Sequence, residues 1–533
     1  MQRLIRIGSR KSELARLQAK LVGQAIESKG FSVEYVFREA PGDINLTNPL
    51  WQMPQVGVFT SFLHDYLVKG EVDVLVHSWK DLPIDPSPDS EVVATLPRED
   101  VRDLFMLKKD SLKQAWHTGE LVVLTSSPRR QYNLKDFLPK IIPRIKTIDY
   151  IANLPVQQTP PSITFRDVRG NIQTRMKKLF LNDNSDQSPP DALVVAKAAV
   201  DRFLSAESEE FSLARKTVRE TLDNCFWSVL PISANPTAAA QGALALEISN
   251  TCSREIRDLI TSLNCKETFS ACELERKVLK SLGGGCHQKI GCSVLPREYG
   301  NIFSLRGLTP TGQDVNVFEV RNNNKETEEH DKCVNPKIVC VGGKHGVSLF
   351  DRISLDNSEL VNRLDTSTAL YVSKAEALPE IVESEISNSI VWTAGVASWI
   401  KLASRGVWVN GCSDGLGESD DIGLSSIIGD MKWVKLTHKD GNRNDHMETI
   451  ATYKLIETDD IKKSELSEAS HIFWSSGSAF KRALEINPDI VNKHHGCGPG
   501  HTFRILCEYV PKHKITVTLN FEEFRRKNTR KQV

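Results

Sequence analysis

The sequence predicts an α/β protein with more than one hydrophobic core, built on open and mostly parallel sheets. Short apolar runs of the kind that form buried strands alternate with stretches of helical periodicity, and this alternation is typical of parallel sheets covered by helices. The chain has 533 residues, which is more than one core usually supports. We therefore expect about two to four domains.

The predicted elements alternate regularly along the first part of the chain. A strand at Ile5–Ser9 leads into a helix that runs to about Ser28, and Ser12 is placed to cap its first turn. Further strands are predicted at Val33–Phe37, Val72–Val76, Leu121–Leu124 and Ala192–Val195. Beyond them, 287–321 reads as short strands with turns, 322–335 as a polar linker and 337–520 as a second α/β region.

Composition disfavours several classes of partner. Lysine plus arginine equals aspartate plus glutamate at 68 each, so bulk charge predicts no nucleic-acid or membrane partner. No apolar stretch approaches the length of a transmembrane span. The eleven cysteines are scattered without a CxxC pair, which predicts reduced thiols in a cytoplasmic compartment and no metal site.

Three runs of polar and basic residues follow predicted strands, where ligands bind in open α/β sheets. They are Gly8–Ser12, His77–Pro83 and Thr125–Arg130. Hydroxyls and N–H groups at helix starts, with arginines beside them, are suited to anions. Three more guanidinium groups come from Arg169, Arg175 and Arg202, so we expect a site for a ligand with several carboxylates or phosphates. A single arginine would more often be a solvated surface charge.

Asp81 lies within the second run, after an apolar strand and shortly before Pro83. In most proteins an aspartate beside a lysine, here Lys80, belongs to a surface pair. Inside an arginine-lined cleft, however, the carboxylate would stay ionised because neighbouring positive charge favours that form. It could then stabilise a cation that develops on a substrate.

Cys286 follows three consecutive glycines, Gly283–Gly285, after a helix predicted at 266–281. Glycines lack Cβ atoms, so a bulky group can approach the sulfur closely. The spacing alone fits two interpretations equally: an attachment point for such a group, or a glycine-rich turn with a cysteine after it.

Taken in order, these motifs resemble the porphobilinogen deaminase (hydroxymethylbilane synthase) family over roughly residues 3–325. The matching runs are Gly8–Ser12, His77–Pro83, Arg98–Asp103, Thr125–Arg130, Arg169–Asn171 and Gly284–Cys286. Each run is weakly diagnostic alone, but the ordered set is specific. The resemblance implies two lobes like those of periplasmic binding proteins, plus a small α+β domain, with the active cleft between the two lobes.

The resemblance also implies roles for individual residues. Cys286 would carry a dipyrromethane cofactor through a thioether, and Asp81 would stabilise positive charge on pyrrole nitrogens as ammonia leaves porphobilinogen. The residues implied to hold cofactor carboxylates are Lys80, Ser126, Ser127, Arg129, Arg130 and Arg169. Those implied to hold substrate carboxylates are Arg10, Ser12, Arg175 and Arg202. The loop before the first-lobe helix departs from the family, since Gln52 and Val56 replace its lysines, which puts lid behaviour and turnover in question.

The region 366–533 resembles uroporphyrinogen-III synthase, which cyclises the linear tetrapyrrole. The resemblance rests on strand ends at Ile390–Gly395 and Ile472–Ser478, the turn Gly496–Thr502, and Ala451–Tyr453. It implies a Rossmann-like or flavodoxin-like α/β region, catalysis by Tyr453, and substrate contacts from Ser475, Ser476 and Thr502.

The predicted organisation follows from both resemblances. Residues 1–325 form the deaminase-like region, with lobes at about 1–105 with 205–230 and at 106–204, and a small domain at about 250–325. Residues 326–365 are a linker or partial lobe. We expect a monomeric, bifunctional enzyme acting on porphobilinogen and the linear tetrapyrrole. Two alternatives stay open: a deaminase with a degenerate structural C-terminal lobe, or a non-enzymatic two-lobed sensor of anions.

Overall fold

The structure is a computed structural model with two compact units. It describes residues 3–39, 61–145, 159–181, 188–283, 288–321, 336–342, 349–356, 360, 368–382, 386, 389–418, 421–441, 446–458 and 463–529. The first unit comprises Met1–Pro296, Ser304–Val317 and Gly423–Gly429. The second comprises Arg297–Phe303, Phe318–Ile422 and Asp430–Val533.

Strands and helices alternate through the first part of the chain, as the sequence predicts. The strands are β1 (Leu4–Arg10), β2 (Ser32–Arg38), β3 (Val74–Ser78), β4 (Ser90–Ala94), β5 (Asp103–Lys108), β6 (Glu120–Leu124), β7 (Ser162–Arg166), β8 (Ala192–Ala196), β9 (Cys225–Val229), β10 (Leu244–Ser249), β11 (Lys289–Leu295), β12 (Asn301–Leu308) and β13 (Asp314–Arg321). The helices are α1 (Glu13–Glu27), α2 (Ser61–Val68), α3 (Ser111–Thr118), α4 (Pro128–Leu134), α5 (Leu138–Ile141), α6 (Ile172–Phe180), α7 (Lys197–Leu204), α8 (Ser212–Asp223), α9 (Arg254–Ser262) and α10 (Lys266–Ser281).

The first lobe is a five-stranded sheet in the order β2-β1-β3-β10-β4. Strand β1 runs parallel to β2 and β3, whereas β10 is antiparallel to β3 and β4. Its core includes Ile5 and Ile7 of β1 and Val22 of α1, all fully buried. Apolar residues at helical spacing along α1 thus pack on a strand that is buried on both faces.

The second lobe is a five-stranded sheet in the order β7-β6-β8-β5-β9. Strand β6 is parallel to β7 and β8, and β5 is antiparallel to β8 and β9. The chain therefore passes between the lobes twice, over 95–102 and over 230–243. These two crossing segments bond to each other: Glu99 N donates to Gly242 O at 3.2 Å, and Arg98 Nε donates to Gln241 O at 2.8 Å.

Three parts of the predicted organisation are wrong. Residues 205–230 were assigned to the first lobe, but β9 pairs with β5, with Leu104 opposite Val229, so it belongs to the second lobe. All of β5 is in the second sheet too, which moves the lobe boundary from 105 to before Asp103. Helix α9, assigned to the small domain, packs on the first lobe through Ile256 and Ile260, because its apolar face completes that core.

The remaining strands of this part form a three-stranded sheet in the order β11-β12-β13. Helix α10 covers the same bounds as the helix predicted at 266–281. It packs on β11 and sends Glu275, which is fully buried, into the core. At the edge of the second-lobe sheet, β7 is followed along the chain by Asp167 and Val168, which lead to Arg169.

The second unit holds two further sheets. Its strands are β14 (Ile338–Val341), β15 (Phe350–Ser354), β16 (Thr368–Val372), β17 (Ile390–Thr393), β18 (Gly411–Cys412), β19 (Lys432–His438), β20 (Glu448–Glu457), β21 (His471–Trp474), β22 (His494–Cys497) and β23 (Ile515–Val517). The helices of this stretch are α11 (Val396–Ser404), α12 (Ser425–Ile428), α13 (Lys463–Glu468), α14 (Gly477–Ile486), α15 (His501–Tyr509) and α16 (Phe521–Asn528). Of these, α12 lies in the segment grouped with the first unit.

One sheet has the order β14-β21-β22-β23 with all its pairs parallel. The other has the order β15-β20-β19-β16-β17-β18, with β15 antiparallel to β20. Residues 326–365, predicted to be a linker or partial lobe, therefore contain one strand of each sheet. Among the residues that the structure describes, no helix is long and apolar enough to cross a membrane.

Candidate active site

Asp81 ends a short 3-10 turn, Trp79–Asp81, directly after β3. Two contacts of Trp79 hold the turn in place: its ring is buried against Phe269, with 5.1 Å between ring centroids, and its backbone N–H donates to Ala243 O at 3.1 Å. The Asp81 side chain is half-buried, and its carboxylate accepts no hydrogen bond from any residue in the described ranges. The fold thus holds the backbone of this turn rigidly and leaves its carboxylate available.

Lys80, beside it, donates to Gln241 Oε1 at 3.2 Å. Burial lowers the pKa of its ammonium group to about 8. The negative charge of Asp81 raises this pKa, and the positive charges of Arg130 and Arg129 lower it. Lys80 therefore titrates close to neutral pH, unlike an ordinary surface lysine.

Arg129 and Arg130 share one buried carboxylate, that of Asp103 at the start of β5. Arg129 Nη2 donates to Asp103 Oδ2 at 2.9 Å, and Arg130 donates to the two carboxylate oxygens at 3.0 and 2.7 Å. Asn235 and Gln241 add amide donors at 2.9 and 2.8 Å. Burial alone would raise the pKa of Asp103, but the two arginines and the amides hold it far below its usual range.

This network changes what the two arginines can do. Arg130 also donates to Val194 O at 3.0 Å, and Arg129 Nη1 donates to Pro236 O at 2.8 Å. Both side chains are thus held as fixed positive charges, with much of their hydrogen-bonding capacity already used. The sequence prediction missed Asp103 as their partner, although it lies in the quoted run Arg98–Asp103, and it missed Gln241, a lone polar residue in an apolar run.

Arg175 lies on α6, whose N-terminus is capped by Asn171 Oδ1 accepting from Thr174 N at 2.8 Å. Its Nε donates to Gly170 O at 2.8 Å, and Gly170 has a φ of +108°, which favours glycine. Burial lowers the pKa of Arg175 to about 10, with further lowering from Arg130 and Arg169, while Asp81 opposes the shift. The side chain of Arg175 therefore interacts electrostatically with three predicted site residues, Arg130, Arg169 and Asp81.

Arg202, on α7, donates from Nη2 to Gly242 O in the second crossing segment, at 2.7 Å. Its Nε is buried and has no hydrogen-bond partner within the described part of the chain. Burial lowers its pKa and that of Arg169. A buried guanidinium with a donor to spare is a suitable partner for an acidic ligand.

The predicted hydroxyl residues have local structural partners. Ser126 Oγ donates to Val168 O and accepts from Val168 N, each at 2.8 Å, and so joins two loops. Ser127 caps α4. Ser12 precedes α1 without capping it through its side chain, and Arg10 ends β1, half-buried. These positions fit the predicted strand-end site, but binding roles for them stay predictions.

A cavity opens beside the Asp81 turn. Its polar lining comes from Lys80, Ser127, Arg129, Arg276 and Gln288, and its apolar lining from Leu82, Ile84, Ala238, Ala239, Leu279 and Ile290. Cys286, with Gly284 and Gly285, lies outside the described residues, as do Gln52 and Val56. Gln288 closely follows Cys286 in sequence and donates to Leu282 O at 3.1 Å, and together with Leu279 of α10 it lines this cavity.

In the second unit, the predicted residues fall on both sheets. Ser475 and Ser476 follow β21, where Ser476 Oγ accepts from Ala479 N at 3.3 Å and caps α14. Thr502 lies in the first turn of α15, after β22, at the same edge of the four-stranded sheet. Tyr453 lies on β20 of the other sheet, is 4% exposed, and has its ring 5.8 Å from that of His438. Burial raises the pKa of Tyr453.

The four-stranded sheet also contains a buried histidine, His495. Its Nδ1 accepts from Trp474 Nε1 at 2.9 Å, and its Nε2 lies 3.0 Å from Ile490 O. This pattern requires a neutral ring that carries its proton on Nε2. Burial lowers the pKa of His495 to about 4. Across the described ranges, no group of three or more His, Cys, Asp or Glu residues could hold a metal ion.

The fold and the cationic cleft together define a two-lobed protein with a site for a polyanionic ligand. Comparison with known proteins identifies the family. The sequence model described as "Porphobilinogen deaminase, dipyromethane cofactor binding domain" matches residues 5–257.

Curated relatives agree with this match. The chain is 34% identical over 287 residues to a probable porphobilinogen deaminase of Picrophilus torridus, covering 54% of this chain and 84% of that protein. It is 32% identical over 321 residues to the porphobilinogen deaminase of Mycolicibacterium gilvum, covering 58% and 88%. Among solved structures, the methionine-binding protein MetQ aligns over 52% of this chain and 94% of that chain, at 12% identity and a TM-score of 0.26.

The chain therefore belongs to the porphobilinogen deaminase family. Membership assigns it porphobilinogen deaminase activity, the reaction also called hydroxymethylbilane synthesis, and the dipyrromethane cofactor.

Proposed function

We propose that the first unit joins four porphobilinogens head to tail, with Asp81 as the catalytic carboxylate and Cys286 as the cofactor anchor. The observation that carries this proposal is the Asp81 turn. Its carboxylate is half-buried and accepts no hydrogen bond from the described residues. It lies next to Lys80 and interacts electrostatically with Arg175.

The residues present fit the cofactor. Each pyrrole ring of a dipyrromethane carries two carboxylates, and this cleft offers Lys80, Arg129, Arg175 and Arg202 as buried or half-buried cations. The spare Nε donor of Arg202 is the clearest sign that a ligand completes the site. When bound, the dipyrromethane supplies the pyrrole carbon to which the first porphobilinogen is joined.

The chain's own groups then act on porphobilinogen. The cations bind and orient its acetate and propionate groups. Holding the substrate in this way makes the bimolecular coupling step effectively unimolecular. As ammonia leaves the aminomethyl carbon, positive charge develops on the pyrrole nitrogen, and the Asp81 carboxylate stabilises it.

The test replaces Asp81 by Asn, which keeps the side-chain shape and removes the charge. We expect turnover of porphobilinogen to fall by at least about a hundredfold. Intact mass should still show the dipyrromethane on the chain. Asp89→Asn, an exposed residue near the same turn, is the matched control and should behave as wild type. Normal turnover in Asp81→Asn would refute the catalytic role, and a bare-chain mass in wild type would refute the Cys286 anchor.

We also propose that the second unit cyclises the linear tetrapyrrole to uroporphyrinogen III. The observation that favours it is the pair of sheets, one parallel and one mostly parallel, with helix starts at Ser476 and Thr502 on the first sheet and Tyr453 on the second. Strand β14 adds a parallel strand beside β21, in the sheet whose strand ends lead to Ser475, Ser476 and Thr502. This domain assignment, with a boundary near 325, is part of the proposal, as are a monomeric state and a cytoplasmic location.

The deciding assay supplies porphobilinogen and separates the uroporphyrin isomers after oxidation. Isomer III supports cyclisation with inversion of the last ring, and isomer I alone would leave a deaminase with a structural C-terminal region. Tyr453→Phe keeps the packing against His438 and should shift the product towards isomer I. Tyr509→Phe, at an exposed position, is the control and should leave the isomer ratio unchanged.

A further inference from the structure

Helix α10 holds two parts of the first unit through adjacent residues. Glu275 is fully buried and accepts from both terminal nitrogens of Arg98 at 2.8 Å, from Ala240 N at 2.6 Å and from Val294 N at 2.7 Å. Four hydrogen bonds to one buried carboxylate leave the helix little freedom to rotate or slide. The position of the next residue, Arg276, is thereby determined as well.

Arg276 reaches the turn that carries Asp81. Its Nη1 lies 3.5 Å from Trp79 O and 3.2 Å from Leu82 O, and its Nη2 donates to Pro83 O. These three carbonyls lie on either side of Asp81 in the chain. One guanidinium thus bonds to both ends of the Asp81 turn, in the forked geometry that a lysine cannot reproduce.

We propose that Arg276 is a positioning residue for the deaminase reaction, holding the Asp81 turn at a fixed place relative to α10. The helix ends at Ser281, shortly before Cys286, so the same rigid element leads to the proposed cofactor anchor and holds the proposed carboxylate. A small displacement of a catalytic group from its productive geometry costs rate rather than substrate affinity. This inference rests on the proposed role of Asp81.

Two other roles for Arg276 make different predictions. As a residue that bound a substrate carboxylate directly, it would mainly affect KM, because it also lines the cavity with Lys80 and Arg129. As a residue that only stabilised the fold, it would lower the melting temperature and cofactor loading without a selective effect on kcat. If Arg276 is a positioning residue, its replacement lowers kcat while the chain stays folded and keeps its bound dipyrromethane.

The experiment compares Arg276→Gln, Arg276→Lys and the control Lys277→Gln, the exposed neighbour on the same helix, in the full-length holoenzyme. Measured quantities are kcat and KM for porphobilinogen, intact mass for the bound dipyrromethane, and the melting temperature. We expect Arg276→Gln to lose about tenfold or more in kcat with KM changed less than about threefold. Arg276→Lys should recover part of the loss, and Lys277→Gln should match wild type.

A double-mutant cycle with Asp81→Glu separates this inference from the proposal on which it rests. If both groups act through one geometry, Arg276→Gln should cost much less in the Asp81→Glu background than in wild type. Equal costs in the two backgrounds, an unchanged kcat, or an effect confined to KM would each overturn the positioning role. Normal activity of Asp81→Glu and Asp81→Asn would instead overturn the role of Asp81 itself.

Discussion

Asp103 gives the strongest prediction about stability, because one fully buried carboxylate neutralises two buried guanidinium groups. Asp103→Asn preserves the shape and removes the charge, so Arg129 and Arg130 would face each other without a counter-ion. Its amide nitrogen would also point a donor at groups that are themselves donors. Removing one partner of a buried ion pair typically costs about 3–5 kcal/mol, and we expect the free energy of unfolding of the first unit to fall by that amount.

The assay is urea unfolding of the full chain followed by tryptophan fluorescence, with Asp223→Asn as the control. Asp223 is exposed at the end of α8, and its substitution should stay within about 0.5 kcal/mol of wild type. The folded pKa of Asp103 is depressed, so its contribution is complete above the unfolded value of about 3.9 and is lost as pH falls below it. The difference between variant and wild type should thus be constant from about pH 5 to 8. A cost below about 1 kcal/mol would refute the reasoning.

Three further predictions follow from local geometry. The ammonium of Lys80, with a pKa of about 8, loses its charge as pH rises through that value, so KM for porphobilinogen should rise above about pH 8 in wild type and not in Lys80→Gln. The pKa of His495 is about 4 against about 6.5 unfolded, so its contribution to the stability of the second unit should be complete above pH 6.5 and fall by about 3 kcal/mol towards pH 4. His471, whose pKa is also about 4, adds a fall in the same direction, and a pH-independent unfolding free energy would contradict this. Gly242 and Gly30 have nearly the same φ, +88° and +87°. A Cβ added to Gly242 would lie 2.6 Å from Glu99 O, whereas a Cβ added to Gly30 would have no atom of the described residues within 4 Å, apart from its chain neighbours. Gly242→Ala should therefore cost clearly more than the roughly 1 kcal/mol expected for Gly30→Ala, as measured by thermal unfolding.

The sequence predicted those features of the site that depend on local patterns. The bounds of the helix before Cys286, the turn after β3 that ends at Asp81, and the helix start at Ser127 all follow from apolar runs and capping residues close in sequence. Such patterns are read within a few residues and need no knowledge of the distant chain.

The parts that the sequence did not predict depend on distant partners. Asp103 lies beside Arg129 and Arg130 because β5 occupies the place between β8 and β9 in the second sheet. For the same reason, the sequence did not predict that 225–229 belong to the second lobe. The alternation of residues along a strand shows which face is buried, but not which sheet the strand joins. Strand β14 lies within the predicted α/β region 337–520, but a run of four apolar residues is too short to assign as an individual strand from the sequence.

The two crossing segments of the first unit have a mechanical consequence. Bonds from Arg98 and Glu99 to Gln241 and Gly242 join them side by side, so the lobes are linked by a paired ribbon rather than by two independent tethers. Asp103 directly follows the first crossing segment and Gln241 lies in the second, so the network that holds Arg129 and Arg130 is anchored where the two lobes are joined.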